Sequence, residues 1–131
     1  MYGDVKSSHH HDAPSGYYNY IDINSSKTLV YITLPSMNKL LSFDMDGKKQ
    51  FACIPSNLKW PLGVLVDRDD NVFVTGYQSS NLHHLSPDVS VLQIIATGVP
   101  DHPFPTCMDK SRDMFIVNDY NTTKLHLYRL N

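Results

Sequence analysis

Several short stretches of this sequence contain residue types that bind metals or transfer protons. One is the run of three histidines and an aspartate at residues 9–12. Imidazole and carboxylate groups are ligands for zinc and other transition metals, but a metal site also needs neighbouring groups that orient its ligands. Residues 1–16 are polar and show no periodicity, so we expect a flexible polar N-terminal segment there and no metal site.

The sequence Asp-Met-Asp-Gly at residues 44–47 is similar to the beginning of a calcium-binding loop. Such a loop continues with a further Asp or Asn and ends on a Glu that supplies two oxygens to the ion. All thirteen acidic residues of this chain are Asp, so the required Glu is missing. An Asp-Gly pair is also a preferred turn between antiparallel strands, and we predict a hairpin turn here.

The densest group of carboxylates consists of Asp67, Asp69 and Asp70, residue types that serve acid–base chemistry or bind cations. Aspartate also closes tight turns, because its short side chain accepts hydrogen bonds from nearby backbone amides. These residues follow a short apolar run, where a strand would end, and we therefore favour a structural role. His83 and His84 lie in a strand-like segment, where successive side chains point to opposite faces. We expect one ring to face solvent and the other to pack against a neighbouring sheet.

Cys53 and Cys107 have no histidine or other base close to them in sequence, and the chain lacks the Gly-x-Ser-x-Gly motif of serine hydrolases. We interpret both as buried, unreactive thiols. No secretion signal is recognisable, so we expect reduced cysteines and a cytoplasmic location. The sequence therefore predicts no catalytic residues, no metal ligands and no cofactor.

The composition favours strands and turns over helices. Glu is absent and Ala occurs only three times, whereas eight Tyr, five Phe and many Val and Ile favour β-strands. With 131 residues, of which 41% are hydrophobic, the chain is long enough for one globular domain with a core. The formal charge of −2 and the scattered basic residues argue against a nucleic-acid-binding surface. No apolar run is long enough to span a membrane.

Eleven short segments have the residue pattern of β-strands, and turn residues separate them. We predict strands at residues 18–23, 29–33, 39–44, 50–54, 63–66, 72–75, 82–85, 91–96, 105–108, 114–117 and 124–130. Their spacing repeats with a period of roughly 42 residues, and equivalent turn positions are occupied by Asn24, Asp67 and Asp109. Tyr77 and Tyr120 coincide in the same way. A repeat of this length with about four short strands is typical of a β-propeller blade.

The chain thus divides, after segment 1–16, into three units at approximately residues 17–58, 59–100 and 101–131. The middle unit shows the pattern best, as PLGVLVDRDDNVFVTGYQSSNLHHL at residues 61–85. Its proline, its apolar residue before Asp67 and its Val-x-Val strand resemble the NHL repeat. The closest resemblance is to the divergent NHL domains at the C-terminal end of invertebrate tripartite-motif (TRIM) proteins. The resemblance implies an all-β fold of four-stranded antiparallel propeller blades, about three blades of an incomplete six-bladed ring.

The resemblance also implies a non-catalytic interaction or scaffold module, which would recognise the substrate or partner protein of a TRIM-like E3 ubiquitin ligase. Any ligase activity would belong to a RING domain, whose cysteine and histidine pattern this chain lacks. Propellers bind through the loops at the ends of their blades, where a rigid scaffold holds them. We expect a protein partner to contact loop residues Arg68, Asp69, Tyr77, Gln78, Lys110, Arg112 and Tyr120.

Three blades also leave two open apolar faces, so we expect self-association through them. We further expect the chain to be the C-terminal piece of a longer protein or a truncated gene product.

Two other functions compete with this interpretation. Some TRIM-type NHL propellers bind RNA on a basic face, which here would require Lys39, Lys59, Arg112 and Lys124 to lie together. The charge of −2 disfavours that function. The chain could instead be a fragment of a six-bladed calcium-dependent hydrolase or lyase. Those enzymes use inward-facing Glu, Asp and Asn ligands from several blades, and the absence of Glu counts against them.

Overall fold

The computed structural model describes residues 20–53, 56–87, 92–97, 102–120 and 124–129. The predicted segment 1–16, with its histidines, lies outside the described residues. None of the described residues belongs to a helix long and apolar enough to cross a membrane. A 3-10 turn spans Pro35–Met37, and the strands are β1 (Ile21–Ile23), β2 (Leu29–Leu34), β3 (Lys39–Asp44), β4 (Lys49–Cys53), β5 (Pro61–Val66), β6 (Val72–Gly76), β7 (Asn81–Leu85), β8 (Leu92–Thr97), β9 (Pro103–Asp109), β10 (Met114–Asp119) and β11 (Leu125–Arg129).

The strands of the described residues form three antiparallel sheets, in which neighbours in sequence are also neighbours in space. The first sheet has the order β1-β2-β3-β4 and the second the order β5-β6-β7-β8. The third sheet has three strands among the described residues, in the order β9-β10-β11. Tight turns can join antiparallel strands directly, so alternating strand and turn residues dictate this up-and-down path. All eleven predicted strands are confirmed, and the all-β class of propeller blades with them.

The middle sheet is buried on both faces, and this burial stacks the three sheets side by side. Val72 and Val74 of β6 point to the first sheet, whereas Phe73 between them points to the third, because side chains alternate along a strand. The first interface packs these valines against Tyr31 and Leu40. The second packs Phe73 and Leu82 against Phe115 and Val117. The first strand of each sheet contacts that of the next sheet, β1 with β5 and β5 with β9, and we call the edge that they form the inner edge of the stack.

In each sheet, the turn after the first strand is closed by a side-chain oxygen that accepts hydrogen bonds from backbone amides of the turn. The Asp67 carboxylate accepts hydrogen bonds from the amides of Asp69 and Asn71, each at 2.9 Å. In the first sheet, the Asn24 side-chain oxygen accepts two backbone amides at 2.8 and 2.9 Å. In the third, the Asp109 carboxylate accepts the Ser111 amide at 3.0 Å. The structural role predicted for Asp67 is therefore confirmed at all three equivalent positions.

The backbone repeats as regularly as the side chains. Residues with a left-handed backbone recur at equivalent places in the three sheets, which are positions that non-glycine residues adopt only in defined turns. They are Lys27 (φ 57°), Asp70 (φ 65°) and Asp113 (φ 52°) in the turns after β1, β5 and β9, together with the pairs Asn38 and Ser80, and Trp60 and His102. The repeat that the sequence predicted is therefore a repeat of conformation.

We expect Asp67→Ala to lower the free energy of unfolding by about 1–3 kcal/mol, because it leaves two turn amides without their acceptor. Asp67→Asn should retain most of the stability, since Asn24 closes the same turn in the first sheet. The exposed neighbour Asp69 provides the control, and its replacement by Ala should change stability by less than about 0.5 kcal/mol. Urea unfolding measured by circular dichroism tests this. Equal midpoints for Asp67→Ala and Asp69→Ala would contradict it.

Candidate functional site

Consecutive turns of an antiparallel sheet lie at opposite ends of its strands, so the stacked blades have two ends. We call one the carboxylate end, formed by the turns at residues 24–28, 44–48, 67–71 and 109–113. The other is the tyrosine end, formed by the connections at residues 35–38, 56–60, 77–80, 102 and 120. The seven predicted partner-binding residues divide between them. Arg68, Asp69, Lys110 and Arg112 lie at the carboxylate end, and Tyr77, Gln78 and Tyr120 lie at the tyrosine end. The structure therefore does not bring the seven residues together at one surface.

At the carboxylate end, Asp70 joins the first two sheets. Its carboxylate accepts the amides of Ser25 at 2.6 Å and of Ser26 at 3.3 Å, and it also bonds the Ser26 hydroxyl. The Ser25 hydroxyl donates to the backbone oxygen of Asp67 at 2.8 Å. The carboxylates that resembled a chemical site in sequence thus hold turns and join blades.

Arg68 joins the second sheet to the third. Its guanidinium forms an ion pair of 2.6 Å with Asp113, and both residues line a cleft of about 270 Å³. The cleft is lined by Asp67, Arg68, Asp69, Asn71, Phe73, His84, Ile95 and Asp113. Because the Arg68 side chain is 58% exposed, the pair contributes little to stability, although it fixes where the guanidinium lies.

The two basic residues of the third sheet's turn have different surroundings. Arg112 lies 3.5 Å from the carboxylate of Asp109. The hydroxyl of Ser111, at 2.6 Å, is the main reason that the pKa of Asp109 is lowered. Lys110 instead lines a wide cavity of about 480 Å³ beside the first sheet, together with residues that include Asp22 and Met45. The carboxylate end is therefore divided into separate clefts with different linings.

The tyrosine end carries a cluster of aromatic side chains, which we call the aromatic cluster: Tyr77, His102 and Tyr120. The Tyr77 ring lies edge-on to both partners, with centroids 4.9 Å from His102 and 5.4 Å from Tyr120. The Tyr77 amide donates to the Trp60 carbonyl at 3.0 Å, and the Tyr120 amide donates to the His102 carbonyl at 3.3 Å. This repeated backbone bond holds each tyrosine at the equivalent place of its own blade, and the stacking of the blades brings the two rings together. Tyr120 remains 61% exposed.

A second aromatic pair lies near the inner edge of the stack. The ring of Tyr20, immediately before β1, lies edge-to-face with that of Phe104 in β9. Their centroids are 5.6 Å apart, and the contact joins the first and third sheets.

Gln78, beside the aromatic cluster, is exposed, and its backbone amide donates to the Lys59 carbonyl at 3.1 Å. Of the predicted residues, Tyr77, Gln78 and Tyr120 therefore lie at the same end of the stack, and the rings of Tyr77 and Tyr120 are in contact.

Sequence reasoning missed His102 as a member of the aromatic cluster. The repeat offered a signal, because a ring-bearing residue precedes the equivalent proline in two blades, Trp60 before Pro61 and His102 before Pro103. Both residues also adopt a left-handed backbone, with φ of 54° and 49°. The aligned position was therefore visible, but its proximity to Tyr77 depends on how neighbouring blades stack.

The paired histidines and the cysteines correct two expectations. His83 faces the first sheet and is buried, while His84 stacks on Phe73 at 5.0 Å. Their opposite orientation is confirmed, but the ring of His84 packs on an aromatic side chain instead of extending into solvent.

Cys107 is an exposed thiol, which contradicts the interpretation of it as buried. It lies on the outward face of the last sheet, where no described residue covers it. Within the described ranges, no group of three or more His, Cys, Asp or Glu is arranged to hold a metal ion.

No protein-family model matches the sequence, and no curated protein matches it either. Solved β-propeller structures do match the fold. A chain of a nidogen–laminin complex superposes with a TM-score of 0.71 at 17% identity, covering 82% of this chain and 41% of its own. Virginiamycin B lyase from Staphylococcus aureus gives 0.65 at 16% identity, with 85% and 40% covered. A streptogramin B lyase gives 0.60 at 17% identity, with 86% and 40% covered. The chain thus has a propeller-type fold and spans about two fifths of the length of these structures.

We expect stability to fall as the pH drops below about 6.5, the pKa of an unburied histidine. Burial lowers the pKa of His83, and the nearby Asn57 backbone only partly opposes this. Neither His83 ring nitrogen has a hydrogen-bond partner of normal geometry among the described residues. The unfolded chain therefore takes up a proton at a pH where the folded chain does not, and acid favours unfolding.

The measurement is urea unfolding between about pH 7 and about pH 5, comparing wild type with His83→Leu. In the wild type, the free energy of unfolding should decrease with falling pH by at most about 1.4 kcal/mol per pH unit, which is the slope for one proton. In the variant this slope should be absent from the interval. His84→Leu serves as the matched control and should retain the slope. An identical pH dependence for wild type and His83→Leu would show that another group is responsible.

Proposed function

We propose that this chain is a non-catalytic recognition module that binds a segment of a partner protein at its tyrosine end. The observation that carries the proposal is the aromatic cluster, with Tyr120 largely exposed and Tyr77 held beside it. Tyrosine rings are enriched at protein interfaces because they bury a large area, lose little side-chain entropy and keep a hydroxyl for hydrogen bonding. The backbone bonds at Trp60 and His102 hold the cluster in place before a partner arrives. Such preorganisation lowers the entropic cost of binding.

The contacts of the carboxylates support a non-catalytic role over the hydrolase or lyase alternative. Asp67 accepts two turn amides and Asp70 accepts amides from the neighbouring blade. A carboxylate occupied in this way is a poor general base or calcium ligand, since its oxygens already accept hydrogen bonds in the folded protein. Two of the three solved structures described above are lyases, but at 16–17% identity the likeness supports the fold alone.

The finer assignment is to a partner-recognition propeller of a TRIM-like E3 ubiquitin ligase. It is supported by the resemblance of residues 61–85 to the NHL repeat, and any ligase activity would reside in a RING domain outside this chain. A propeller-fold neighbour from a nidogen–laminin complex supports protein binding as a use of such a fold. On this proposal the module works in the cytoplasm and selects the protein that the ligase modifies.

A second candidate function is RNA binding, because the tyrosine end also gathers basic residues. Lys39, Lys59 and Lys124 border its connections, whereas Arg112 lies at the opposite end. Proteins that bind single-stranded RNA combine aromatic rings, on which unpaired bases stack, with basic side chains that contact the phosphate backbone. The net charge of −2 weakens the long-range attraction that RNA binding needs, so protein recognition remains the preferred function.

Selection of random peptides displayed on phage tests the proposal without a known partner. We expect peptides that bind the wild-type chain to lose at least about tenfold in affinity for Tyr120→Ala and for Tyr77→Ala. Asp69→Ala, an exposed substitution at the carboxylate end, should change the affinity by less than about twofold. Peptides that respond to Asp69→Ala but not to the tyrosine variants would place the site at the wrong end.

A titration with single-stranded RNA separates the second function from the first. RNA binding that weakens steeply with added salt and is reduced in Lys59→Ala would replace protein recognition. If neither peptides nor RNA respond to the tyrosine variants, the tyrosine end is not a recognition surface.

A further inference from the structure

The first sheet has an exposed face whose equivalents in the second sheet are buried. In both sheets the first strand pairs with the second in the same register: Ile21 and Ile23 with Ile32 and Val30, and Val64 and Val66 with Val74 and Val72. Val64 and Val66 are 4% and 0% exposed because the first sheet covers them. Ile21 and Ile23, at 63% and 42%, have no sheet of the described chain over them. We call this the leading face of the first sheet.

The third sheet has the complementary exposed face. Leu40, Leu82 and Leu125 occupy equivalent positions on the third strand of each sheet, opposite Thr33, Thr75 and Asn118. Leu40 and Leu82 are 0% and 1% exposed, because each is covered by the next sheet. Leu125 and its neighbour Leu127 are 66% and 62% exposed. We call this the trailing face of the third sheet.

The two internal interfaces show how such faces fit together. Each time, the trailing face of one sheet packs on the leading face of the next, as Tyr31 and Leu40 pack on Val66 and Val74. The leading face of the first sheet also holds a recess of about 350 Å³, lined by Leu41 and Phe43 and bordered by Lys39 and Lys49. The trailing face of the third sheet and the leading face of the first therefore have the same relation as faces that already pack within the chain.

We propose that a second copy of this chain covers both faces, so that two copies close one ring head to tail. A second copy is the occupant that carries both complementary faces at once. The length also fits, because the chain matches 40–41% of each propeller to which it was compared, so that two copies supply most of a ring. A twofold axis along the centre of the ring relates the copies and makes both contacts identical.

The ring has a consequence for recognition. Rotation about the central axis leaves the tyrosine ends of the two copies on the same side, so the dimer presents two aromatic clusters in one direction. A partner with two binding segments would gain avidity from this arrangement. The ring itself does not depend on the proposed recognition function, because the leading and trailing faces share no residue with the aromatic cluster.

Light scattering coupled to size-exclusion chromatography tests the ring on the full 131-residue chain. We expect a particle of twice the chain mass of 14.9 kDa. Ile21→Asp and Leu127→Asp should each produce monomers, because either substitution damages both contacts of a ring. Ile94→Asp is the control, since it introduces the same charge at a 39% exposed apolar residue in β8 of the middle sheet, which takes no part in the ring contacts, and it should stay dimeric. Circular dichroism of each variant establishes that it is folded.

Mixing the two monomeric variants gives the sharpest result. Ile21→Asp retains an intact trailing face and Leu127→Asp an intact leading face, so an equimolar mixture should form a heterodimer through one undamaged contact. A wild-type monomer at about 100 μM, open polymers in place of a dimer, or a dimer that survives either substitution would overturn the proposal. Failure here would leave the peptide-binding test at the tyrosine end unaffected.

Discussion

Burial of both faces of the middle sheet is the constraint on which the rest of this structure depends. Val72 and Val74 can leave water only if one sheet covers them, and Phe73 only if another covers the opposite face. A single blade cannot satisfy this requirement, because alternation along a strand sends apolar side chains both ways. Stacking of at least three sheets follows from that pattern alone. The stack then fixes the turns, since each is anchored by strands that packing has already immobilised.

The two ends of the stack differ in the contacts that join neighbouring blades. At the carboxylate end, Asp70 and Arg68 reach across to neighbouring blades, so polar side chains complete what apolar packing begins. At the tyrosine end, the Asn38 side chain accepts the Trp60 amide of the next blade at 2.7 Å, and the Ser80 hydroxyl accepts the His102 amide at 3.3 Å. The Tyr120 ring takes no part in these bonds and remains exposed. Asp67 and Asp70 thus hold a turn and join two blades, and the recognition surface that we propose is built from rings that carry no obvious chemical motif.

The sequence predicted what local chemistry determines. Strand positions follow from the alternation of apolar residues, and the turn role of Asp67 follows from its short side chain. Both can therefore be predicted from the sequence alone. The sequence did not predict contacts that depend on how one blade sits on the next. The ion pair of Arg68 with Asp113, the place of His102 beside Tyr77 and the exposure of Cys107 are of this kind. Each of these features depends on how neighbouring sheets are offset from one another, and the period of the sequence repeat gives no information about that offset.

The central claim is that recognition occurs at the tyrosine end, and nuclear magnetic resonance of the labelled chain tests it most directly. Backbone amide shifts are recorded while a peptide selected on the wild-type chain is added. We predict that the amides of Tyr77, His102 and Tyr120 move with a single saturating dependence on peptide concentration, while those of residues 67–71 and 109–113 stay in place. Shifts confined to those two turns, with the three aromatic residues unmoved, would contradict the claim.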